Sequence, residues 1–160
     1  MPSDLPRLID LCQMAQRELA PMRGGELLLA QRALRDSIEA SLRADLEEPS
    51  RPVWVGTIDA AVVGYGRGHV EAVERPDDGG PGPIGVIDDL FVESEARSVG
   101  VGEAMMEAML GWFIGQGCRG VDAIALPGHR SAKNFFEESG FTARALVMHR
   151  PLDTRGGERG

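Results

Sequence analysis

The sequence predicts an α/β (α+β) fold in which a single mixed β-sheet carries helices on both faces. Three observations predict it. Segments with apolar residues three and four apart alternate with short β-branched runs, in the order α-α-β-β-β-α-β-α-β. Apolar side chains make up 42% of 160 residues, enough for one sizeable core. A polar, glycine-rich stretch follows position 152. We therefore expect one domain over residues 1–152 and a disordered tail over 153–160.

Two helices are predicted ahead of the first strand. Ser3 is suited to cap the first helix, which should end near Pro21. The second is expected as one continuous helix from Leu27 to Leu46, because its apolar residues recur at helical spacing until the sequence E-E-P-S-R-P.

Three strands follow in the middle of the chain. Val53–Ile58 and Ala61–Gly68 are rich in β-branched residues and are joined by a two-residue turn, which predicts a hairpin. The Gly/Pro/Asp run at 74–83 is expected to be a mobile loop. A further strand is predicted over 84–92.

The remaining chain is predicted to alternate helix and strand. A largely apolar helix is expected at Val101–Gly117 and a short buried strand at Val121–Leu126. A capped helix should follow at Ser131–Ser139, and a last strand at Ala143–Arg150.

The composition excludes several classes of function. The chain has 17 Lys plus Arg against 25 Asp plus Glu, a net charge of -8, which argues against nucleic-acid binding and slightly favours a cationic ligand. No apolar run approaches membrane-spanning length, and the start of the sequence, M-P-S-D-L-P, does not resemble a signal peptide. Cys12 and Cys118 are expected to be reduced thiols, so we expect a cytoplasmic protein.

The most informative segment is residues 84–102, where a strand leads into a glycine loop that opens a helix. It reads I-G-V-I-D-D-L-F-V-E-S-E-A-R-S-V-G-V-G. Because Gly100 and Gly102 have no Cβ atom, the backbone can turn sharply and its N–H groups can approach an anion. The helix directs its unpaired N–H groups and its positive dipole end at the same place. The segment is therefore typical of a phosphate-binding loop.

Three kinds of phosphate-binding loop could account for this turn, and the flanking residues separate them. A P-loop requires a Lys-Ser/Thr pair, which is missing here. A Rossmann fingerprint requires a third glycine where Met105 stands, and Asp122 would begin the next strand rather than end it. The third kind has the pattern R-x-x-G-x-G, which residues 97–102 match.

This loop resembles the pyrophosphate loop of the GNAT superfamily, the acyl-CoA-dependent N-acetyltransferases. The strand I-D-D-L-F-V at 87–92 is similar to the strand that precedes the loop in that family. The segment H-R-S-A-K-N-F-F-E at 129–137, followed by Gly-Phe, is similar to the family's N-x-x-A-x-x-(L/F)-Y-E helix. The resemblance covers about residues 52–150. The family's usual N-terminal edge strand is short or missing here, so a partner subunit could supply it, as in a possible homodimer.

The resemblance implies acetyl-CoA as the acyl donor. Loop N–H groups would hold the pyrophosphate, Arg97 would add positive charge, and the preceding strand would line the pantetheine track. A main-chain N–H near Phe91 and Val92, at an expected bulge, would hold the thioester oxygen. The residues expected at the coenzyme are Leu90, Phe91, Val92, Arg97, Ser98, Val99, Gly100, Val101, Gly102 and Phe136. No spacing of His, Cys and acidic residues suggests a metal site.

The catalytic candidates are Asp88, Asp89, Tyr65 and His129. The adjacent aspartates are expected to face opposite sides of the sheet. The resemblance favours Asp88 as the base and Asp89 as an acceptor-binding or structural group; both could equally be caps or salt-bridge partners. Tyr65 is either a packing residue or a replacement for the proton-donating Tyr that the family often has where Phe136 stands. His129, where Asn is usual, is either a proton donor or a helix-entry contact.

Two functions remain open from the sequence. The first is an N-acetyltransferase that uses direct attack by a primary amine, either a small cationic amine or a protein N-terminus or lysine. The second is a non-catalytic acyl-CoA-binding regulatory module, which Phe136 and His129 favour. A nucleotide-binding domain of another kind is disfavoured by Met105.

Overall fold

The computed structural model of the chain describes residues 2–32, 37–72 and 82–152, which form one four-stranded mixed sheet with helices on both faces. The strands lie in the order β1 (Val53–Ile58), β2 (Ala61–Glu71), β3 (Ile84–Val92) and β4 (Gly120–Ala123). The first three are antiparallel neighbours, and β4 is parallel to β3. The helices are α1 (Leu5–Leu19), α2 (Gly25–Arg32), α3 (Ile38–Glu47), α4 (Val101–Gly115) and α5 (Arg130–Glu138). The predicted fold class is confirmed.

The second predicted helix, Leu27 to Leu46, is wrong as a continuous element, since the chain forms α2 and α3 instead. Ser37 has an extended backbone, with φ -62° and ψ 161°, and its Oγ accepts a hydrogen bond from the N–H of Ala40 at 3.2 Å. A serine in this position is a helix N-cap, and it starts α3. Residues 33–36, most of the 74–83 loop and the 153–160 tail lie outside the described residues.

The predicted hairpin of β1 and β2 is confirmed. Its two-residue turn, Asp59 and Ala60, has φ values of 48° and 67°. Positive φ at both positions matches the twist of the flanking strands. Among the described residues no strand precedes β1, which therefore forms one edge of the sheet.

The core has two parts, one on each face of the sheet. Helices α1 and α3 cover one face, where Leu8, Leu11 and Leu42 are completely buried near Tyr65. Helix α4 covers the other, where Met109 and Phe113 are completely buried. The Met and aromatic residues of α4 are thus core residues. None of the helices in the described ranges is long and apolar enough to cross a membrane.

The C-terminal part of the chain departs from the prediction. Strand β4 is shorter than the predicted Val121–Leu126, and its residues are half-buried. Helix α5 begins at Arg130, and the residue ahead of it, His129, makes no side-chain cap bond. The last strand, predicted at Ala143–Arg150, is wrong: this segment is irregular and exposed. Its apolar residues have no sheet neighbour within the described chain, although their composition is that of a strand.

Candidate active site

A cleft opens where the parallel strands β3 and β4 separate. Their pairing runs from Ile84 opposite Gly120 to Ile87 opposite Ala123, and stops there. Strand β3 continues to Val92, whereas the chain after β4 leads into α5. The cleft has a volume of about 360 Å³ and is lined by parts of α1, β3, the glycine loop and α5. Asp88 is the first residue of β3 after the part that pairs with β4.

Asp88 forms a bulge in β3. In the pairing of β2 with β3, Arg67 lies opposite Asp89 and Gly68 lies opposite Ile87, so Asp88 has no opposite residue. The extra residue shifts the alternation of side chains. Asp88 contacts His69, and Asp89 contacts Arg67. Because Arg67 and His69 are two positions apart on β2, their side chains lie on the same face of the sheet. Both aspartates therefore lie on the face that α1 and α3 cover. The expectation that they face opposite sides is wrong.

The bulge also lies earlier than expected. Pairing near the end of β3 is regular, with Phe91 opposite Tyr65 and Val92 opposite Gly64. Leu90 and Val92 pack toward α4, and Phe91 packs toward α1. All three residues line the cleft. The predicted bulge at Phe91 and Val92 is therefore wrong, and the irregular position in this strand is the one that carries Asp88.

Asp88 is held by a histidine that lies between two carboxylates. His69 Nδ1 is 2.7 Å from Asp88 Oδ2, and His69 Nε2 is 3.1 Å from Glu71 Oε1. Burial lowers the pKa of His69, but the hydrogen bonds to Asp88 and Glu71 outweigh it, so the pKa of His69 is raised. With an acceptor at each ring nitrogen, the imidazolium form satisfies both contacts. The folded structure therefore favours the protonated form of His69 beside Asp88.

Asp89 belongs to a second network, centred on Arg67. The Arg67 Nη1 lies 3.4 Å from Asp89 Oδ2, and its Nε donates to Asp45 Oδ2 at 2.8 Å. Nη2 donates to the same Asp45 carboxylate and, at 3.0 Å, to Ser41 Oγ. This network ties β3 and β2 to α3. Both aspartates line the cleft, and their side chains are 24% exposed for Asp89 and 33% for Asp88.

Tyr65 lies deep below the cleft. It is only 2% exposed and packs in the cluster formed by α1 and α3. Burial is the main cause that raises the pKa of Tyr65 well above its usual value, and Asp89 and Cys12 add to it. Its side chain shares a hydrogen bond with Cys12. Tyr65 is thus a neutral, packed hydroxyl in this geometry.

The glycine loop forms a tight turn before α4. Ser98 and Gly100 have φ values of 67° and 91°, and α4 begins at Val101. The backbone N–H groups of residues 98–103 meet no acceptor in the described part of the chain. Donors in successive turn residues, at the end of a helix dipole, make an anion-binding concavity.

The second glycine of the loop has a packing role. A Cβ atom at Gly102 would lie 3.1 Å from the Phe135 ring, so glycine lets α5 approach the start of α4. At Gly100 the space beside the backbone is open, with no atom within 4 Å of a Cβ position. There the positive φ, not crowding, requires glycine.

Arg97 is occupied by the protein itself. Its Nε donates to the carbonyl of Val92 at 2.7 Å, and Nη1 and Nη2 donate to the two oxygens of Glu18 at 2.9 and 2.8 Å. The guanidinium carbon also lies 5.4 Å from the centre of the Phe91 ring. Arg97 therefore joins α1 to the end of β3 just ahead of the loop, and its charge is balanced by Glu18.

His129 and Phe136 come from the α5 side of the cleft. His129 is half-buried just before α5, and the rings of Phe136 and Phe141 pack at a tilt of 58° with 5.3 Å between their centres. The hydrogen bond from Arg97 lowers the pKa of Glu18, and the nearby His129 contributes to the same direction. The structure thus brings His129, Glu18 and Arg97 together at one end of the cleft.

Three residues of this region were not predicted from the sequence: Glu18, Arg67 and His69. The last two follow from alternation, since residues 65, 67 and 69 of β2 point to one face. Glu18 lies one turn after Ala15 on α1, and both line the cleft. The side chains that Glu18, Arg67 and His69 contact lie on other helices and strands, and no local sequence pattern identifies them.

Comparison with known proteins identifies the family of this chain. The model of the acetyltransferase (GNAT) family matches residues 14–141. The chain therefore belongs to the GNAT family of acetyltransferases. No curated protein matches the chain significantly in sequence.

Solved structures share its fold at low identity. A tetramutant of the BH1408 protein from Bacillus halodurans is 16% identical, with a TM-score of 0.77 over 94% of this chain and 95% of that one. The aminoglycoside acetyltransferase AAC(6')-Iy, in complex with the bisubstrate analogue CoA-S-monomethyl-acetylneamine, is 17% identical, with a TM-score of 0.66 over 94% and 92%. The aminoglycoside acetyltransferase meta-AAC0020, from an uncultured soil metagenomic sample, is 22% identical, with a TM-score of 0.66 over 94% and 90%.

Proposed function

We propose that this protein is an acetyl-CoA-dependent N-acetyltransferase that acetylates a primary amine by direct attack. The observation that carries the proposal is the set of main-chain N–H groups at 98–103, which have no acceptor in the described chain and lie at the mouth of the cleft. Family membership supports acetyl transfer, and the cleft between β3 and α5 offers a place for the acyl donor.

The residues around the loop fit coenzyme A. The diphosphate requires several hydrogen-bond donors in one concavity, and residues 98–103 offer them. Because Glu18 balances Arg97, the attraction for the anion comes from these N–H groups and from the α4 dipole. Leu90, Val92 and Phe136 give the cleft an apolar wall suited to pantetheine. Bound acetyl-CoA would supply the activated acetyl group and a thiol leaving group.

Asp88 is the proposed base. An amine is protonated at neutral pH and must lose a proton before its lone pair can attack. Asp88 lies at the point where β3 and β4 separate, and His69 fixes its orientation. The Asp88 carboxylate takes the proton directly or through a water molecule. As the new N–C bond forms, the C–S bond to the thiol breaks.

The proton for the thiolate does not require a tyrosine. Phe136 has no proton to give, and Tyr65 is buried with a raised pKa, which makes it a weak acid. A free thiol has a pKa near 8.5, so the thiolate is a tolerable leaving group that water can protonate. His129, which lines the cleft, is the remaining candidate donor.

The proposed acceptor is a small cationic amine. Glu18, Asp88 and Asp89 all line the cleft, and the chain carries a net charge of -8. Two of the similar structures are aminoglycoside acetyltransferases, which supports a small-molecule acceptor over a protein N-terminus or lysine. Cys12 and Cys118 are both free thiols, which supports a cytoplasmic location.

Thiol release from acetyl-CoA, measured against a panel of amines, tests this proposal. Polyamines and aminoglycosides should accelerate release, whereas lysine-containing peptides should not. The alternative is a non-catalytic acyl-CoA-binding module, which the phenylalanine at position 136 favours. Coenzyme A binding without thiol release for any amine would support that module and contradict the enzyme.

A further inference from the structure

A row of three ionisable side chains, Asp88, His69 and Glu71, leads from the cleft to the surface. Asp88 Oδ2 lies 2.7 Å from His69 Nδ1, and His69 Nε2 lies 3.1 Å from Glu71 Oε1. The side chains are 33% exposed for Asp88, 20% for His69 and 62% for Glu71. Asp88 lines the cleft, whereas His69 and Glu71, both in the described part of the chain, lie outside its lining. In the proposed acetyl transfer, only Asp88 takes up a proton.

The bulge in β3 creates the first contact of this row. Asp88 has no opposite residue on β2, because Ile87 lies opposite Gly68 and Asp89 lies opposite Arg67. In a regular strand, neighbouring side chains would face opposite sides of the sheet. The extra residue instead turns Asp88 to the face of β2 that carries the histidine. The backbone of β3 thus pairs a carboxylate of the cleft with an imidazole.

Two arginines also lie near His69. Arg67, two positions earlier on β2, pairs with Asp89 and with Asp45. Burial is the largest cause that lowers the pKa of His69, and Arg51 lowers it slightly. The hydrogen bonds to the two carboxylates of the row outweigh both, so the pKa of His69 is raised. The surroundings therefore favour the uptake of a proton by this imidazole.

A carboxylate alone is a weak final acceptor for the proton of an amine. Reference pKa values are about 3.9 for an aspartate side chain and about 10.4 for a primary ammonium such as that of lysine, with imidazole between them at about 6.5. A general base works best when its pKa lies near the operating pH. An imidazole placed behind the carboxylate therefore holds the proton better than the carboxylate does.

We propose that His69 receives the proton that Asp88 takes from the acceptor amine, and that Glu71 prepares His69 to receive it. This inference rests on the proposed acetyl transfer. His69 and Glu71 are positioning residues, since both act through Asp88. When the proton of neutral imidazole is on Nε2 and faces Glu71, the lone pair of Nδ1 faces Asp88. Glu71 thus selects the tautomer that can accept.

The proton moves in two steps. The N–H bond of the ammonium breaks as an O–H bond forms on Asp88. That O–H bond then breaks as an N–H bond forms at Nδ1 of His69, which returns Asp88 to the carboxylate. The product is an imidazolium between two carboxylates, and charge-assisted hydrogen bonds of this kind are about twice as strong as neutral ones. Loss of one proton from the imidazolium to water resets the row.

This transfer gives the reaction a pH dependence. When His69 already carries a proton on both ring nitrogens, it cannot receive another. We therefore expect kcat/KM to rise with pH through the pKa of His69 and to be constant above it. Because the hydrogen bond to Glu71 raises this pKa, Glu71→Gln should move the rise to lower pH.

The pH profile of Glu71→Gln tests the link to catalysis. It is measured as thiol release from acetyl-CoA with the most active amine of a polyamine and aminoglycoside panel. The ratio of kcat/KM at pH 8 to kcat/KM at pH 6 should be smaller than in wild type, by up to about fivefold, the upper limit for an exposed ion pair. Glu39→Gln is the matched control, because Glu39 is also an exposed carboxylate in an ion pair, with Arg43. It should keep the wild-type ratio.

The titration of His69, followed by NMR of its imidazole C–H signals, gives a measurement without substrate. The chain has three histidines, so His69→Asn identifies the signal. Glu71→Gln and Asp88→Asn should each lower the pKa of His69, and Glu39→Gln should leave it unchanged.

Two results would overturn the inference while leaving acetyl transfer in place. One is a pKa of His69 that Glu71→Gln does not change. The other is a lowered pKa of His69 in Glu71→Gln with the wild-type pH profile of kcat/KM, which would show that His69 does not receive the proton. A wild-type protein that releases no thiol with any amine at any pH would contradict the acetyl transfer itself, and the inference with it.

Discussion

Arg97 and Glu18 are joined by two parallel hydrogen bonds, Nη1 to Oε1 at 2.9 Å and Nη2 to Oε2 at 2.8 Å. The first residue of the R-x-x-G-x-G pattern thus contacts a helix 79 positions earlier in the chain rather than facing the loop. Since its third nitrogen donates to Val92, Arg97 connects α1, β3 and the loop. We therefore propose that Arg97 positions the loop.

Glu18→Gln and Arg97→Gln should therefore have similar effects. We expect each to raise KM for acetyl-CoA up to about fivefold with kcat unchanged, because a partly exposed pair contributes about 1 kcal/mol or less. The double variant should be no worse than either single one, since the two residues act as a unit. Steady-state kinetics of the three variants measures this. If Glu18→Gln instead tightened coenzyme binding, Arg97 would be a phosphate ligand that Glu18 restrains.

Gly100→Ala should weaken coenzyme binding without unfolding the protein. The residue has φ 91°, where a Cβ atom costs about 1–2 kcal/mol. The loop is expected to relax to another conformation and misdirect its N–H groups, which raises the dissociation constant of coenzyme A about tenfold.

Gly111→Ala is the matched control, because Gly111 lies within α4 with open space at its Cβ position. It should stabilise the helix by up to about 1 kcal/mol and leave binding unchanged. Calorimetric titration of both variants with coenzyme A makes the comparison. Equal binding by Gly100→Ala and wild type would show that the turn conformation is not needed.

Asp88→Asn should lower kcat about 100-fold and leave coenzyme A binding intact, because the amide cannot accept the proton from the amine. Asp89→Asn is the matched control, because it makes the same isosteric change at the neighbouring position. Since the Asp89 side chain contacts Arg67, we expect kcat to change only a few-fold in this variant. Thiol release measured at saturating acetyl-CoA separates the two. Full activity in both variants, or a large loss only in Asp89→Asn, would be incompatible with Asp88 as the base.

His69 should make stability depend on pH. Burial lowers its pKa, but hydrogen bonds to Asp88 and Glu71 raise it further, above the usual 6.5, while Arg51 acts weakly in the lowering direction. The folded state therefore favours the imidazolium. This contribution is fully present below the unfolded pKa and is lost as the pH rises through the folded pKa.

The difference in Tm between wild type and His69→Asn should thus be larger at pH 6 than at pH 9, as differential scanning calorimetry can determine. The same variant should alter the pH dependence of kcat, because Asp88 loses its ionisable hydrogen-bond partner. A Tm difference independent of pH would mean that folding does not raise the pKa of His69.

The sequence predicted the parts of this molecule that depend on local patterns. The hairpin, β3, the glycine loop and α4 follow from alternation, turn residues and helical spacing. The break between α2 and α3 depends on a cap at Ser37, a signal that the continuous apolar spacing obscured. The bulge at Asp88 has no local signature, because it is defined by the register against β2. The predicted strand at 143–150 is wrong because this segment makes no main-chain hydrogen bond to the free edge of β4, and the sequence of the segment does not show this.

We propose that the N–H groups of residues 98–103 hold the diphosphate of coenzyme A. Amide chemical shifts in a ¹⁵N-labelled sample test it most directly, with coenzyme A and with pantetheine, which lacks the diphosphate. We expect coenzyme A to shift the amide signals of 98–103 strongly, and pantetheine to shift those of β3 and leave the loop signals unchanged. Loop signals that do not move when coenzyme A saturates the protein would contradict it.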